Sequence, residues 1–130
     1  MLEINKELFD QEGLMSIIAN ASATELDEMD FGVIGFDDAG LVQRYNLFES
    51  KLAGLRAQNV IGSHLFTNVA PCMNNFMVAQ RFEDARESST SLDTIIDYVL
   101  TLRMRPIKVK LRLLSRPDVL IRFILVLRAT

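Results

Sequence analysis

VLIRFILVLR, Val119 to Arg128, is the most apolar run of the chain, and its reading decides the fold. A membrane-spanning helix needs about 20 apolar residues. This run has about half that length and is broken by Arg122, so it reads as a strand and no membrane span is expected. With alternating side chains, Val119, Ile121, Phe123, Leu125 and Leu127 fill one face, while Leu120, Ile124 and Val126 lie on the other beside Arg122. A strand apolar on both sides belongs in a sheet whose two faces are both covered.

Working outward, PIKVKLRLL (106–114) and LDTIIDYVLTLRM (92–104) read as two further strands. SRPD (115–118) is suited to a tight turn between the last two, which completes a three-stranded meander. Upstream, FGVIGF (31–36), the turn DDAG (37–40) and LVQRY (41–45) form a hairpin in which Gly40 supplies the positive φ. Residues 46–70 hold short helical pieces punctuated by Gly54 and Gly62. The run NNFMVAQRFEDARE (74–87) then spaces Phe76, Ala79 and Phe82 along one helical face. In residues 4–20, Leu8, Leu14, Met15, Ile17 and Ile18 predict one or two short amphipathic helices weakened by Gly13, a poorly anchored element. Ser22-x-x-Glu25 has capping-box spacing.

This order predicts an α+β domain, a five-stranded antiparallel sheet with helices over one face. The N-terminal helical cap, residues 1–24, is the nearest cover for the other face of the core at 25–130, and a second protein molecule is the alternative cover. At 130 residues and 49% apolar content the chain fits one domain. A net charge of -3 and a pI near 5.1 give no basic stripe for phosphates, which excludes nucleic acid as the expected partner. One cysteine forms no internal disulfide, and the N-terminus has no basic start followed by an apolar run, so a cytoplasmic protein is expected.

Candidate chemistry centres on few residues. Cys72, the only cysteine, lies in NVAPCMNN (68–75) after Pro71, and a lone buried thiol is most often a small apolar residue. Tyr45 ends a strand and Glu49 follows four residues later, so a helix starting there puts both on one face. Asn46-x-x-Glu49 also has capping-box spacing, and pattern alone favours that reading of the carboxylate. His64, the only histidine, has only Cys72 as a thiol to pair with and reads as a surface or core residue. Ser88 to Ser91 lack the glycines of a phosphate cradle, and Glu25, Asp27, Glu28 and Asp30 lack calcium-loop spacing. No enzyme site and no metal site is expected.

The runs FGVIGFDDAGLVQRYN (31–46), NVIGSHLF (59–66) and NVAPC (68–72), followed by Tyr98, Met104 and PIKVK (106–110), resemble the photoactive yellow protein family, small bacterial blue-light sensors with the PAS fold. The resemblance covers roughly residues 24–130. It implies that Cys72 carries 4-hydroxycinnamic acid (p-coumaric acid) as a covalent thioester beside Ala70 and Pro71. It also implies that Tyr45 and Glu49 hydrogen-bond the chromophore phenolate, and that Tyr98, Leu100 and Met104 lie near the pocket. On this reading light isomerises the chromophore, Glu49 hands over a proton, and release of the N-terminal cap exposes the back of the sheet to a downstream signalling protein. A monomer or weak homodimer is expected.

The sequence departs from the family pattern at three places. Ala53 stands where a threonine usually supports the tyrosine, Leu55 replaces a pocket-shielding arginine with Arg56 next to it on a different heading, and Leu100 replaces an aromatic. Two other classes stay open: a non-photoactive PAS interaction or small-ligand module with free Cys72, and an enzyme or acyl carrier using the thiol transiently.

Overall fold

The computed structural model describes residues 8–101 and 106–128. Strands β1 (Gly32–Phe36), β2 (Val42–Tyr45), β3 (Leu92–Leu100), β4 (Ile107–Ser115) and β5 (Arg122–Arg128) form one antiparallel sheet in the order β2-β1-β5-β4-β3. The expected five-stranded α+β architecture is therefore present, with the apolar strand β5 at its centre. Helices α1 (Leu14–Asn20) and α2 (Ala23–Asp27) precede the sheet. Between β2 and β3 lie α3 (Leu47–Ala53), α4 (Ala57–Val60), a π-helical turn (Leu65–Val69), a 3-10 turn (Pro71–Met73) and α5 (Ala79–Ser88).

β5 divides its side chains between two cores. Ile124 and Val126 join Tyr45, Ala70, Phe82 and Leu100 under the helices of the middle segment. Phe123 and Leu125 join Phe9, Leu14, Met15, Ile18 and Phe31 on the opposite face. The N-terminal segment is thus what covers the second face, as the two-sided strand required.

That segment is better held than its glycine and short helices predict. The buried Arg112 of β4 donates through Nη1 to the carbonyls of Phe9 and Gln11 at 2.7 and 2.8 Å, and forks onto Asp93 of β3 at 2.8 and 2.9 Å. Phe9, absent from the periodic positions, is fully buried and packs edge-on against Phe31 at 5.7 Å. Ile17 is exposed instead.

Local signals were mostly realised. Ser22 and Glu25 form the reciprocal capping box of α2. In the β1–β2 turn Asp37 Oδ1 accepts from the amides of Ala39 and Leu41, with Gly40 at φ 83°. Two expectations need correction. Phe76 is 79% exposed, because the Asn75 carboxamide accepts from the amides of Met77 and Val78 and delays α5 until Ala79. Leu120 is also exposed, because the turn closed by Val119 N–H to the Arg116 carbonyl is followed by more loop, and β5 begins only at Arg122. Met104 lies outside the described residues.

Candidate functional site

Pro71 opens the 3-10 turn that carries Cys72, whose side chain is half-buried. A proline at that position has its φ preset and gives up no intrahelical hydrogen bond. The turn is tied to the sheet through Tyr98 of β3. Its hydroxyl donates to the Cys72 carbonyl at 2.5 Å and accepts from Asn75 Nδ2 at 2.6 Å, while the same amide reaches the Cys72 carbonyl at 3.1 Å. Tyr98 thereby fixes the backbone of the thiol, a more specific role than edge packing. Asn75 had no signal beyond its polarity. The thiol opens on a cleft of about 480 Å³ whose walls include Ala53, Leu55, Val69, Pro71 and Thr101.

The other end of the site is built on α3. Its two buried residues, Glu49 and Ala53, stand one turn apart on one face. Because Ala53 lines the Cys72 cleft, Glu49 lies one turn further along the same face. Asn46 fixes where this helix starts. Its Oδ1 accepts from the amides of Glu49 (3.1 Å) and Val33 (2.9 Å), and its Nδ2 donates to the carbonyls of Leu26 and Phe31. Half of the capping box forms, since the Glu49 carboxylate does not turn back to the Asn46 amide.

Instead the carboxylate, 1% exposed, is gripped by Arg128 at the end of β5. Nη1 donates to Oε1 at 2.8 Å and Nη2 to Oε2 at 3.0 Å. Glu49 also presses on β1 where only glycine leaves room, because a Cβ on Gly32 would stand 2.0 Å from Oε1 and 3.3 Å from the Glu49 Cβ. Arg128 escaped the sequence reading: 79 residues separate it from its partner, and at the end of an apolar strand it looks like a solvated terminus.

Tyr45 is buried on the same face of the sheet, and among the described residues its hydroxyl has no hydrogen-bond partner. Burial first, and then the charge of Glu49, raise its pKa well above the ordinary tyrosine value, with Arg128 partly offsetting them. Tyr45 is therefore held as a neutral hydroxyl, a donor.

The remaining candidates divide clearly. Ala70 and Leu100 are buried in the same apolar cluster as Tyr45, and Cys72 and Tyr98 pack against it. Pro71 is exposed at the cleft wall. Leu55 also lines that cleft, whereas Arg56 lines a different one beside Tyr45 and Leu47. His64 pairs with Leu41 and lies over Gly40, where a Cβ would meet its Nε2 at 2.5 Å; it belongs to the hairpin, away from a thiol-pairing role. No group of three or more metal-ligating side chains occurs among the described residues, and no helix there is long and apolar enough to cross a membrane.

No family model matches the chain. It is similar to a photoactive yellow protein of Halochromatium salexigens, 32% identical over 81% of this chain and 83% of the relative. It is also similar to the photoactive yellow protein domain of the sensor histidine kinase Ppr from Rhodospirillum centenum, with 34% identity, a TM-score of 0.77, and coverage of 86% of this chain and 97% of that one. The PAS domain of the RpfR quorum-sensing receptor of Cronobacter turicensis shares the fold at 18% identity and a TM-score of 0.61, over 79% of this chain and 97% of that one. With its sheet order, its helix-covered face and the relatives at this identity and coverage, the chain belongs to the photoactive yellow protein family and has the PAS fold.

Proposed function

We propose that the chain is a blue-light photoreceptor that carries 4-hydroxycinnamic acid as a thioester on Cys72, with the hydroxyl end of the ligand held by Tyr45 and Glu49. The observation that carries this reading is Tyr45, a neutral hydroxyl donor with no hydrogen-bond partner among the described residues, in the apolar cluster against which Cys72 packs. The donor set fits the group: a half-buried nucleophilic thiol at one end, a neutral hydroxyl and a carboxylic side chain at the other, and apolar residues between.

Bound there, the cinnamate would supply visible absorption and a double bond that light can isomerise. Cys72 Sγ would hold it, displacing the leaving group of an activated acyl donor with the thiol proton going to that group. Tyr98 and Asn75 hold the Cys72 backbone still, and Pro71 limits its flexing. Tyr45 donates to the ligand oxygen, and Glu49 holds or yields the proton there. Ala70 and Leu100 exclude water from the apolar stretch. Asn46 supplies a route outward, because the carboxamide that caps the Glu49 helix also binds the carbonyls of Leu26 and Phe31, in the stretch that links the N-terminal cap to β1. A shift of α3 therefore loosens the cap-side segment, whose release hands the signal to a protein partner; in the dark the protein is a monomer or weak homodimer in the cytoplasm.

The test is to mix the apoprotein with activated 4-hydroxycinnamate and to record the visible spectrum and intact mass. Wild type is expected to gain one cinnamoyl group and a colour, and Cys72→Ala neither, while keeping its fold. A coloured Cys72→Ala protein, or a wild type that stays colourless, refutes the reading. The second result would leave a PAS module with free Cys72, a reading to which the complete Glu49–Arg128 pair also lends support.

A further inference from the structure

We propose that Arg128 is the counter-ion of Glu49 and a positioning residue for its proton transfer: it receives the Glu49 carboxylate whenever that carboxylate is not bonded to the ligand oxygen. The inference rests on the light-sensor reading for its second half, but not for its first.

Three observations point to Arg128. The guanidinium meets both carboxylate oxygens in the parallel fork geometry suited to an ionised carboxylate. Both side chains are at least nine-tenths buried, at 10% and 2% exposure, so water screens the pair little. The guanidinium is also dedicated, because Nε has no partner and the other two nitrogens bond only Glu49 among the described residues. Gly32 leaves the carboxylate the room it needs on the β1 side.

Charge counting gives the consequence. Without ligand, one carboxylate faces one guanidinium and the site is neutral. A ligand phenolate beside Tyr45 adds a second anion to a single cation, and two anions sharing a buried site raise the proton affinity of one of them. Glu49 takes up the proton that the ligand hydroxyl gives up, an O–H bond forming on the carboxylate as the phenol O–H breaks. On transfer, the O–H bond on Glu49 breaks as one forms on the ligand oxygen, and the carboxylate returns to the two N–H donors of Arg128. No bare buried charge remains after transfer, so Arg128 prolongs that state by stabilising the carboxylate.

The test has two arms, both by infrared difference spectroscopy with Glu49→Gln as the reference. In apoprotein, wild type is expected to show no protonated-carboxyl stretch from Glu49. Arg128→Gln should gain one that disappears in the double variant, and Arg128→Lys, which keeps the charge, should stay like wild type. In cinnamate-loaded protein, Arg128→Gln is expected to recover in the dark faster by about tenfold or more, because its carboxylate loses a buried partner. An Arg128→Gln apoprotein with no new carboxyl stretch overturns the pairing. Recovery within about twofold of wild type overturns the role in proton transfer. A protein that never colours refutes the light-sensor reading instead, and the apoprotein arm still decides the pairing.

Discussion

Two buried arginines, one on each face of the sheet, show how the same side chain serves a fixed joint and a movable one. Arg112, on the cap face, spends its donors on four acceptors, the two oxygens of Asp93 and the carbonyls of Phe9 and Gln11. The carbonyls cannot change charge, and Asp93 is half exposed to water, so no single protonation event undoes the joint. Arg128, on the helix-covered face, stakes both of its bonds on one carboxylate that is itself buried. One proton on Glu49 removes the charge from its only partner among the described residues. The contrast lies in what the arginine is bonded to, since burial of the two is similar.

The largest effects are expected on the cap face, where the joint is structural. Phe9→Ala empties a fully buried ring position against Phe31 and should cost about 3–5 kcal/mol in denaturant unfolding. Arg112→Gln should cost about 2–3 kcal/mol, less than a fully buried pair because Asp93 can turn to water. It should also raise hydrogen exchange in residues 8–20 while β4 and β5 stay protected. Uniform loss of protection across the sheet would break the comparison by showing that the cap and the sheet open together.

On the site face a smaller, more specific effect is expected from Gly32→Ala. The new methyl group collides with the Glu49 carboxylate and should cost about 1–2 kcal/mol by forcing it off Arg128. In a Glu49→Ala background the carboxylate is gone and only the 3.3 Å approach to the Cβ remains, so the same substitution should cost clearly less, a non-additivity read from a double-mutant cycle. Additive costs would mean that Gly32 serves β1 itself rather than the carboxylate.

What was legible in the sequence follows the range of the interaction. The alternation in Val119–Arg128 predicted two covered faces, and the Ser22 capping box, the Gly40 turn and the Tyr45–Glu49 spacing were readable because each lies within a few residues. Phe76 was misread because a local competitor, the Asn75 carboxamide, bonds the next amides and shifts the helix start past it. The cap was judged loose because helix propensity says nothing of an arginine over 100 residues away that bonds its carbonyls. The Glu49–Arg128 pair was hidden for the same reason: only the sheet order, which puts β5 beside β1, brings the end of β5 to α3.

The smallest effect concerns a third buried arginine and sharpens the comparison through pH. Arg122, on the site face of β5, donates to the Asp37 carbonyl at 2.8 Å and lies over the Phe36 ring at 4.7 Å. It leans on the β1–β2 turn, which Asp37 closes with its own carboxylate. Partial burial pushes the Asp37 carboxyl up, but the hydrogen bonds from Leu41, Gln43 and Ala39, together with the charge of Arg122, outweigh it and hold the group below the ordinary carboxylate value. A lowered folded value means that the stabilisation is complete above the unfolded value of about 3.9 and is lost as the pH falls through the folded one. In Asp37→Asn the Oδ1 acceptor survives, but the contact from Gln43 Nε2 and the titration do not. The stability gap between wild type and Asp37→Asn should therefore be constant at neutral pH and narrow as the pH falls below about 4. A gap that does not change over that window would show that the turn is held by its backbone alone, and that Arg122 rests on a joint as insensitive to protons as that of Arg112.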